Sequence, residues 1–203
     1  MKVLLINGSP RHKGNTAIAL NEIARTLETE GIETVTIEIG NQPVRGCIGC
    51  SACKTKGCCA FSDPLYDHVR EVIEQGIDGL IVGSPVYFGG PNGSLCALLD
   101  RLFCSSGSLL AYKPAAAVAV CRRGGAGNTF DRLNKYFTIN NMPVVPSQYW
   151  NSVHGNTPGE AEQDLEGLQT MRTLARNMAW MLRGMKQDDR PQAEERQRTN
   201  FIR

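Results

Sequence analysis

A run of cysteines is the feature of this sequence that most clearly indicates chemical function. Five of the eight cysteines in the 203-residue chain fall within thirteen residues, and they are Cys47, Cys50, Cys53, Cys58 and Cys59. A C-x2-C-x2-C run with a fourth thiolate nearby can supply one sulfur to each corner of a cubane iron–sulfur cluster. Structural zinc sites usually separate two C-x2-C pairs by about a dozen residues or more. The spacing therefore favours an iron–sulfur cluster over zinc, and reduced thiols without a metal are the alternative.

Composition and charge exclude several other classes of protein. Apolar residues make up 41% of the chain and charged residues 21%, which is ordinary globular usage. The net charge of +2 gives no strong attraction to nucleic acid or membranes. The start of the chain lacks the apolar length of a signal peptide, and the longest apolar stretch, 115–121, is too short to span a bilayer. We therefore expect a cytoplasmic protein without nucleic-acid or membrane partners, whose cysteines bind metal or do redox chemistry.

Hydrophobic patterning predicts the elements that position these cysteines. Apolar or β-branched runs predict strands over 2–7, 34–39, 79–84, 115–121 and 143–146. Helical spacing of apolar residues predicts helices over 15–30, 67–75, 91–104, 128–140 and 159–184. This alternation predicts an α/β domain over 1–185, with a doubly wound, five-stranded parallel sheet between two helical layers. The cysteine-rich loop spans 46–63, and the charged segment 186–203 is predicted to be a mobile tail.

The loop after the first strand has the composition of a phosphate site. Ligands of such sheets bind at the carboxyl ends of the strands. Between residues 8 and 16, Ser9, Asn15 and Thr16 supply donors, Arg11 supplies charge, and a helix start offers unpaired N–H groups. The loop lacks the lysine of a P-loop, and no G-x-G-x-x-G fingerprint follows the strand. An ordinary Ser/Asn helix cap is the alternative interpretation.

The loops after the third and fourth strands could hold a flat ring. The aromatic pair Tyr87 and Phe88 could form a wall for the ring, or it could simply cover the edge of the sheet. In the loop at 121–129, backbone amides could bind ring carbonyls, and arginines could stabilise negative charge on a reduced ring. The candidate ring contacts are Pro85, Val86, Tyr87, Phe88, Gly89, Cys121, Arg122, Gly124 and Gly125.

Two of these loops carry motifs of a known family. The segments GSPR and GNT within 8–16, the segment GSPVYFG over 83–89 and the order of elements resemble the NAD(P)H-dependent FMN reductases of the flavodoxin-like fold. The resemblance covers about residues 1–180. It implies the strand order 2-1-3-4-5, FMN as cofactor, NAD(P)H as a reductant, and a homodimer or homotetramer. It also implies that the FMN phosphate lies at Ser9, Arg11, Asn15 and Thr16, with the ring between 85–89 and 121–125.

Within that family, the cysteine run is similar to that of the iron–sulfur flavoproteins. This resemblance implies a [4Fe–4S] cluster held by Cys47, Cys50, Cys53 and a fourth cysteine. Family members commonly carry a cysteine four residues before an acidic position, and matching that position to Asp63 selects Cys59. The doubled cysteine departs from the family pattern and leaves Cys58 as the alternative. Outside the run, Cys96 and Cys104 are predicted to be core residues, and Cys121 either lies near the ring or is simply buried.

Three functions follow as hypotheses. The first is an FMN-dependent oxidoreductase that moves electrons between FMN, a [4Fe–4S] cluster and a small-molecule or protein partner, such as a ferredoxin-like protein. The second is an NAD(P)H-dependent FMN or quinone reductase without an occupied cluster. The third is a non-enzymatic, flavodoxin-like electron carrier or a thiol redox sensor. We assign no catalytic acid or base, because the electron-transfer scheme requires none.

Overall fold

A parallel β-sheet forms the centre of the protein. The computed structural model describes residues 1–185, 189–192, 194–195, 197, 199 and 201. The strands are β1 Lys2–Asn7, β2 Glu33–Glu38, β3 Gly79–Tyr87, β4 Gly90–Pro91, β5 Ala115–Cys121 and β6 Ser152–His154. Five of them are parallel and lie in the order β2-β1-β3-β5-β6, which is the predicted order 2-1-3-4-5 once the short β4, paired antiparallel with β3, is set aside.

The three central strands are buried on both faces. Leu5 of β1 lies beside Ile81 of β3, which in turn lies beside Ala116 of β5, and all three residues are fully buried. Strands covered on both faces read as continuous apolar runs, which is why the sequence predicts β1 and β5 with their observed bounds. The predicted third strand, 79–84, is too short, because β3 continues to Tyr87. The edge strand β2 is only partly buried.

Helices cover both faces of the sheet. On one face, α1 (Asn15–Thr29) packs with α6 (Leu165–Gly184) over the inner side chains of the sheet. On the other face lie α3 (Pro64–Glu74), α4 (Gly93–Ser106) and α5 (Ala126–Thr138). A short helix, α2 (Cys53–Lys56), forms within the cysteine-rich loop and contacts α4. The predicted three-layer α/β/α architecture is confirmed.

The predicted position of the fifth strand is wrong. Val144 forms only an isolated bridge with Ala115, and the strand that completes the sheet is β6, whose His154 pairs with Cys121 of β5. Prolines at 143 and 146 explain the difference, because a proline has no N–H group to extend a strand ladder.

The start of the last helix also differs from the prediction. A 3-10 turn occupies Glu160–Gln163, and α6 begins at Leu165, where the Asp164 side chain accepts the Gly167 N–H over 2.9 Å as an N-cap. Leu165, the first residue of α6, has 75% of its surface exposed and does not belong to the buried stripe of the helix.

The predicted tail, 186–203, lies partly outside the described residues. Its described members are exposed. Across the part of the chain that the structure describes, no helix combines the length and the apolar character needed to cross a membrane.

Candidate functional site

Loops at the carboxyl edge of the sheet surround a cleft of ≈ 240 Å³, which we call the flavin cleft after the cofactor that the resemblance predicts for it. They follow β1, β3, β5 and β6. The predicted residues that line it are Ser9, Arg11, Asn15, Thr16, Pro85, Val86, Tyr87, Cys121 and Arg122. The other lining residues are Gly14, Val120, Gly155, Asn156 and Pro158. The structure thus brings the predicted phosphate loop and both predicted ring loops to one place.

The loop after β1 folds back on itself and leaves the start of α1 open to the cleft. Ser9 Oγ accepts the Arg11 N–H over 3.1 Å, and the Gly14 N–H donates to the Arg11 carbonyl over 3.2 Å. A Cβ added at Gly14 would lie 3.2 Å from that carbonyl oxygen, tighter than ordinary packing allows. Among the residues that the structure describes, no side chain caps α1. The N–H groups of its first turn are therefore available to an anion, beside the Arg11 cation.

Asn15 connects this helix start to the loop after β6. Its Nδ2–H donates to the Thr157 carbonyl over 3.0 Å, and its Oδ1 accepts the N–H groups of Gly159 and Ala161, each over 3.2 Å. The Asn15 side chain therefore holds the 155–161 loop against the cleft. Sequence reasoning missed this loop, because it placed the fifth strand too early. The turn-forming run GNTPG over 155–159 was the available signal.

The loop after β3 is a tight hairpin. Val86 and Tyr87 of β3 pair with β4, and the turn passes through Phe88 (φ 51°) and Gly89 (φ 75°), both left-handed. Pro85, Val86 and Tyr87 line the flavin cleft, whereas Phe88 and Gly89 do not. The Phe88 ring is fully exposed. Phe88 therefore does not cover the edge of the sheet as a core residue, and it lies outside the lining of the cleft.

The buried side chain of Asn92 joins the loops after β1 and β3. Its Nδ2–H donates to the Gly8 carbonyl over 2.8 Å, and its Oδ1 caps α4 by accepting the Ser94 N–H over 3.1 Å. Its backbone N–H donates to Ser84 Oγ over 2.9 Å. The sequence predicts a helix start near Asn92 but not its contact with Gly8, which lies 84 positions away.

The loop after β5 packs against the hairpin. Gly125 has φ 89°, and a Cβ there would lie 2.8 Å from Val86 Cγ1 and 2.9 Å from Gly89 Cα. Only glycine fits such a position. Gly124 and Gly125 do not line the cleft, although Cys121 and Arg122 do. Burial raises the pKa of the Cys121 thiol despite backbone hydrogen bonds from Arg123 and Ala126. Cys121 therefore stays a neutral thiol near neutral pH.

A second, smaller cleft lies among the cysteines, and we call it the cysteine cleft. Its lining includes Cys47, Cys50, Cys53 and Cys59 from the cysteine-rich loop, together with Arg101 and Cys104 from α4. Cys58 is not among its lining residues. All eight cysteines lie in the described part of the chain and are free thiols.

The backbone beside the cysteine cleft donates a hydrogen bond to one of its sulfurs. Gly49 and Ser51 both have left-handed φ angles, 69° and 60°. The Gly49 N–H donates to Cys47 Sγ over 3.5 Å. Such turns point successive N–H groups into a concave surface, which favours negative charge there.

Cys59 is the thiol with the strongest cationic contact. Arg101 Nε–H donates to Cys59 Sγ over 3.4 Å. Burial raises the pKa of the Cys59 thiol, but hydrogen bonds from the Phe61 amide and from Arg101 outweigh it and lower the pKa below the ordinary value. Cys59 is therefore biased toward the thiolate, the form that binds metals.

Cys104 was predicted to be a core residue, and this prediction is wrong. The residue is exposed and lines the cysteine cleft, where its carbonyl accepts the Cys53 S–H over 3.4 Å. Burial and the neighbouring Cys47 raise the pKa of its thiol, in contrast to Cys59. Within the described residues, no three His, Cys, Asp or Glu side chains converge closely enough to hold one metal ion. The thiols surround a cleft instead.

Comparison with known proteins decides the family. A family model described as NADPH-dependent FMN reductase matches residues 1–157. The chain belongs to this family. It is accordingly a flavin-dependent oxidoreductase, and the resemblance based on its two loop motifs is confirmed.

This FMN reductase-family protein is similar to an iron–sulfur flavoprotein of Methanocaldococcus jannaschii. The two are 37% identical over 196 residues, which is 92% of this chain and 100% of the relative. Among solved structures, the chain resembles RosB with a TM-score of 0.72 and 17% identity, over 91% of this chain and 79% of RosB. It also resembles a flavodoxin, WrbA-like protein of Agrobacterium tumefaciens, with a TM-score of 0.60 and 17% identity, over 91% and 98% of the two chains. These likenesses establish the flavodoxin-like fold of the chain.

Proposed function

We propose that this protein is an iron–sulfur flavoprotein that moves electrons between FMN, a [4Fe–4S] cluster and an external donor or acceptor. The observation that carries the proposal is the lining of the cysteine cleft, which includes Cys47, Cys50, Cys53 and Cys59 but not Cys58. The name of the Methanocaldococcus relative, which matches along its whole length, supports the same conclusion.

The FMN phosphate is assigned to the open start of α1. Ser9, Arg11 and Thr16 line the cleft there, and the uncapped first turn supplies N–H donors. Asn15 also lines the cleft, but Oδ1 of its side chain already accepts two N–H groups from the 155–161 loop. We therefore assign Asn15 to the support of that loop and only secondarily to the phosphate.

The flavin ring is assigned to the space between the β3 hairpin and the loop after β5. Pro85, Val86 and Tyr87 form one wall, and Cys121 and Arg122 lie on the other. The Arg122 cation would stabilise negative charge on the reduced ring. Phe88, Gly89, Gly124 and Gly125 act indirectly in this proposal, by shaping the two turns that carry the walls.

The cluster is assigned to Cys47, Cys50, Cys53 and Cys59. Thiolates are the usual ligands of iron–sulfur clusters, and four sulfurs around a cleft suit a cubane better than a single ion. Two of these sulfurs already accept N–H groups, Cys47 from Gly49 and Cys59 from Arg101. Hydrogen bonds of this kind favour a bound cluster, because they offset the charge of the thiolates.

When bound, FMN supplies two-electron and one-electron chemistry, and the cluster supplies one-electron transfer. The chain's own residues bind and orient these groups, and the neutral Cys121 thiol adds no charge beside the ring. The donor is NAD(P)H or a ferredoxin-like protein, and the acceptor is a small molecule or another protein. We also infer a homodimer or homotetramer, which the exposed aromatic side chains of Tyr149, Trp150 and Trp180 support.

The test is the cofactor content of the protein purified without oxygen, followed by reduction with two donors. The proposal expects FMN, iron and acid-labile sulfide in each chain, and faster flavin reduction by a reduced ferredoxin than by NADPH alone. Iron well below one atom per chain, with rapid reduction by NADPH, would support the second candidate, an NAD(P)H-dependent FMN or quinone reductase. The match of residues 1–157 to the NADPH-dependent family favours that candidate.

A further inference from the structure

We infer that Arg101 sets the reduction potential of the proposed cluster through Cys59, an inference that rests on the proposed function. Arg101 lies on α4, outside the cysteine-rich loop, and none of its side chain is exposed. Its Nε–H donates to Cys59 Sγ over 3.4 Å. Because Arg101 acts through a ligand and does not bind the cluster itself, it is a positioning residue.

The remaining N–H groups of the guanidinium fix its orientation. Nη1 donates to the Asp63 carboxylate and to the Arg45 carbonyl, the latter over 3.5 Å, and Nη2 donates to the Phe61 carbonyl. The Arg101 Cζ lies 4.4 Å from the centre of the Tyr66 ring. Arg45 and Phe61 lie on either side of the cysteine run in sequence. Arg101 therefore ties both ends of the run to α4, and these contacts keep Nε aimed at Cys59.

The charges around Arg101 determine whether it raises or lowers the reduction potential of the proposed cluster. A fully buried cation is costly unless it is paired, and Asp63 is its ion-pair partner. One positive charge is thus divided between the Asp63 carboxylate and the sulfur of Cys59. Electron uptake makes a cluster more negative, and hydrogen bonds to its sulfurs and nearby charge tune its potential. Arg101 should therefore make the cluster easier to reduce, and Asp63 should partly oppose this effect.

Two substitutions should consequently shift the midpoint potential of the cluster in opposite directions. Arg101→Gln removes the cation, so the midpoint potential of the cluster should become more negative. Asp63→Asn removes the balancing anion, so the potential should become more positive. Asp63 also caps α3 by accepting the Tyr66 N–H over 3.0 Å, and asparagine caps a helix as well as aspartate does. The local fold should therefore survive Asp63→Asn.

Two further variants are a charge-conserving substitution, Arg101→Lys, and a matched control, Arg183→Gln. Lysine keeps the positive charge but loses the planar fork of donors, so Arg101→Lys should give a shift smaller than that of Arg101→Gln. Arg183 donates to the Glu30 carboxylate over 2.9 Å, on the opposite face of the sheet from α4. Arg183→Gln thus removes one arginine charge far from the cysteines and should leave the potential unchanged.

The experiment is a redox titration of the full-length protein purified without oxygen, with the signal of the reduced cluster followed by electron paramagnetic resonance. The inference predicts a negative shift for Arg101→Gln, a positive shift for Asp63→Asn and no shift for Arg183→Gln. If Arg101→Gln retains no cluster, the shifts in potential of Asp63→Asn and Arg101→Lys test the inference.

A purely structural role for Arg101 would lower the iron content but leave the potential of the remaining clusters unchanged. Equal potentials in the wild type and in the Arg101 and Asp63 variants would overturn this inference alone. A wild-type protein that holds no iron or sulfide would instead overturn the cluster proposal, and this inference with it.

Discussion

The side chain of Asn92 donates its Nδ2–H to the carbonyl oxygen of Gly8 over 2.8 Å, which joins the loop after β1 to the hairpin of the flavin cleft. The same side chain caps α4, and only 8% of the residue is exposed. The relative position of two walls of the cleft therefore depends in part on this buried amide.

Replacement of this amide should weaken both the fold and flavin binding. Asn92→Ala leaves the buried Gly8 carbonyl unpaired and removes a helix cap, so the free energy of unfolding should fall by about 1–3 kcal/mol. Asn92→Ser can still cap α4 but does not reach Gly8, so it should restore part of the stability without restoring FMN affinity. Urea unfolding and FMN titration measure the two effects. Full FMN affinity in Asn92→Ser would show that the bond to Gly8 is not needed.

Arg11 should discriminate FMN from riboflavin. A hydrogen bond to a charged group contributes about 1.5–3 kcal/mol, so Arg11→Ala should weaken FMN binding by roughly tenfold to one-hundredfold. Riboflavin has no phosphate, and its affinity should change little. Lys13 lies in the same loop and is exposed, but it does not line the cleft, so Lys13→Ala is the matched control. Equal losses for both flavins, or equal losses in both variants, would argue against a phosphate contact at Arg11.

Two adjacent glycines in the loop after β5, Gly124 and Gly125, provide a second pair of matched variants. Gly125→Ala forces a left-handed φ on alanine and places its Cβ 2.8 Å from Val86 Cγ1, so it should cost about 1–3 kcal/mol of stability and distort the ring wall. A Cβ at Gly124 meets no atom of the described residues within 4 Å, so Gly124→Ala should be neutral. Thermal unfolding and FMN titration compare the two variants. A neutral Gly125→Ala would contradict the packing described here.

The sequence was most informative where burial is continuous along the chain. The central strands could be predicted because apolar runs such as Val3–Ile6 are covered on both faces. The fifth strand could not, because β6 is only three residues long and carries little pattern, whereas the apolar run before it is interrupted by prolines.

The candidate sites show the same difference between features that a local sequence pattern predicts and features that depend on distant contacts. Local motifs indicated most residues that line the flavin cleft and the cysteine cleft. The contacts of Asn92 with Gly8 and of Arg101 with Cys59 join residues 84 and 42 positions apart, and no local pattern predicts such pairs. Cys104 was misassigned for a related reason. A cysteine on an amphipathic helix is predicted to be buried, and only the structure shows which element packs against that face of the helix.

The central claim is that Cys59, not Cys58, completes a [4Fe–4S] cluster, and paired serine variants test it most directly. The measurement is iron and acid-labile sulfide per chain, together with the electron paramagnetic resonance spectrum of the reduced protein, after purification without oxygen. We predict about four iron atoms per chain and an intact spectrum in the wild type and in Cys58→Ser, and loss of both in Cys59→Ser. Retention of the cluster in Cys59→Ser with its loss in Cys58→Ser, or a wild type without iron, would contradict the claim.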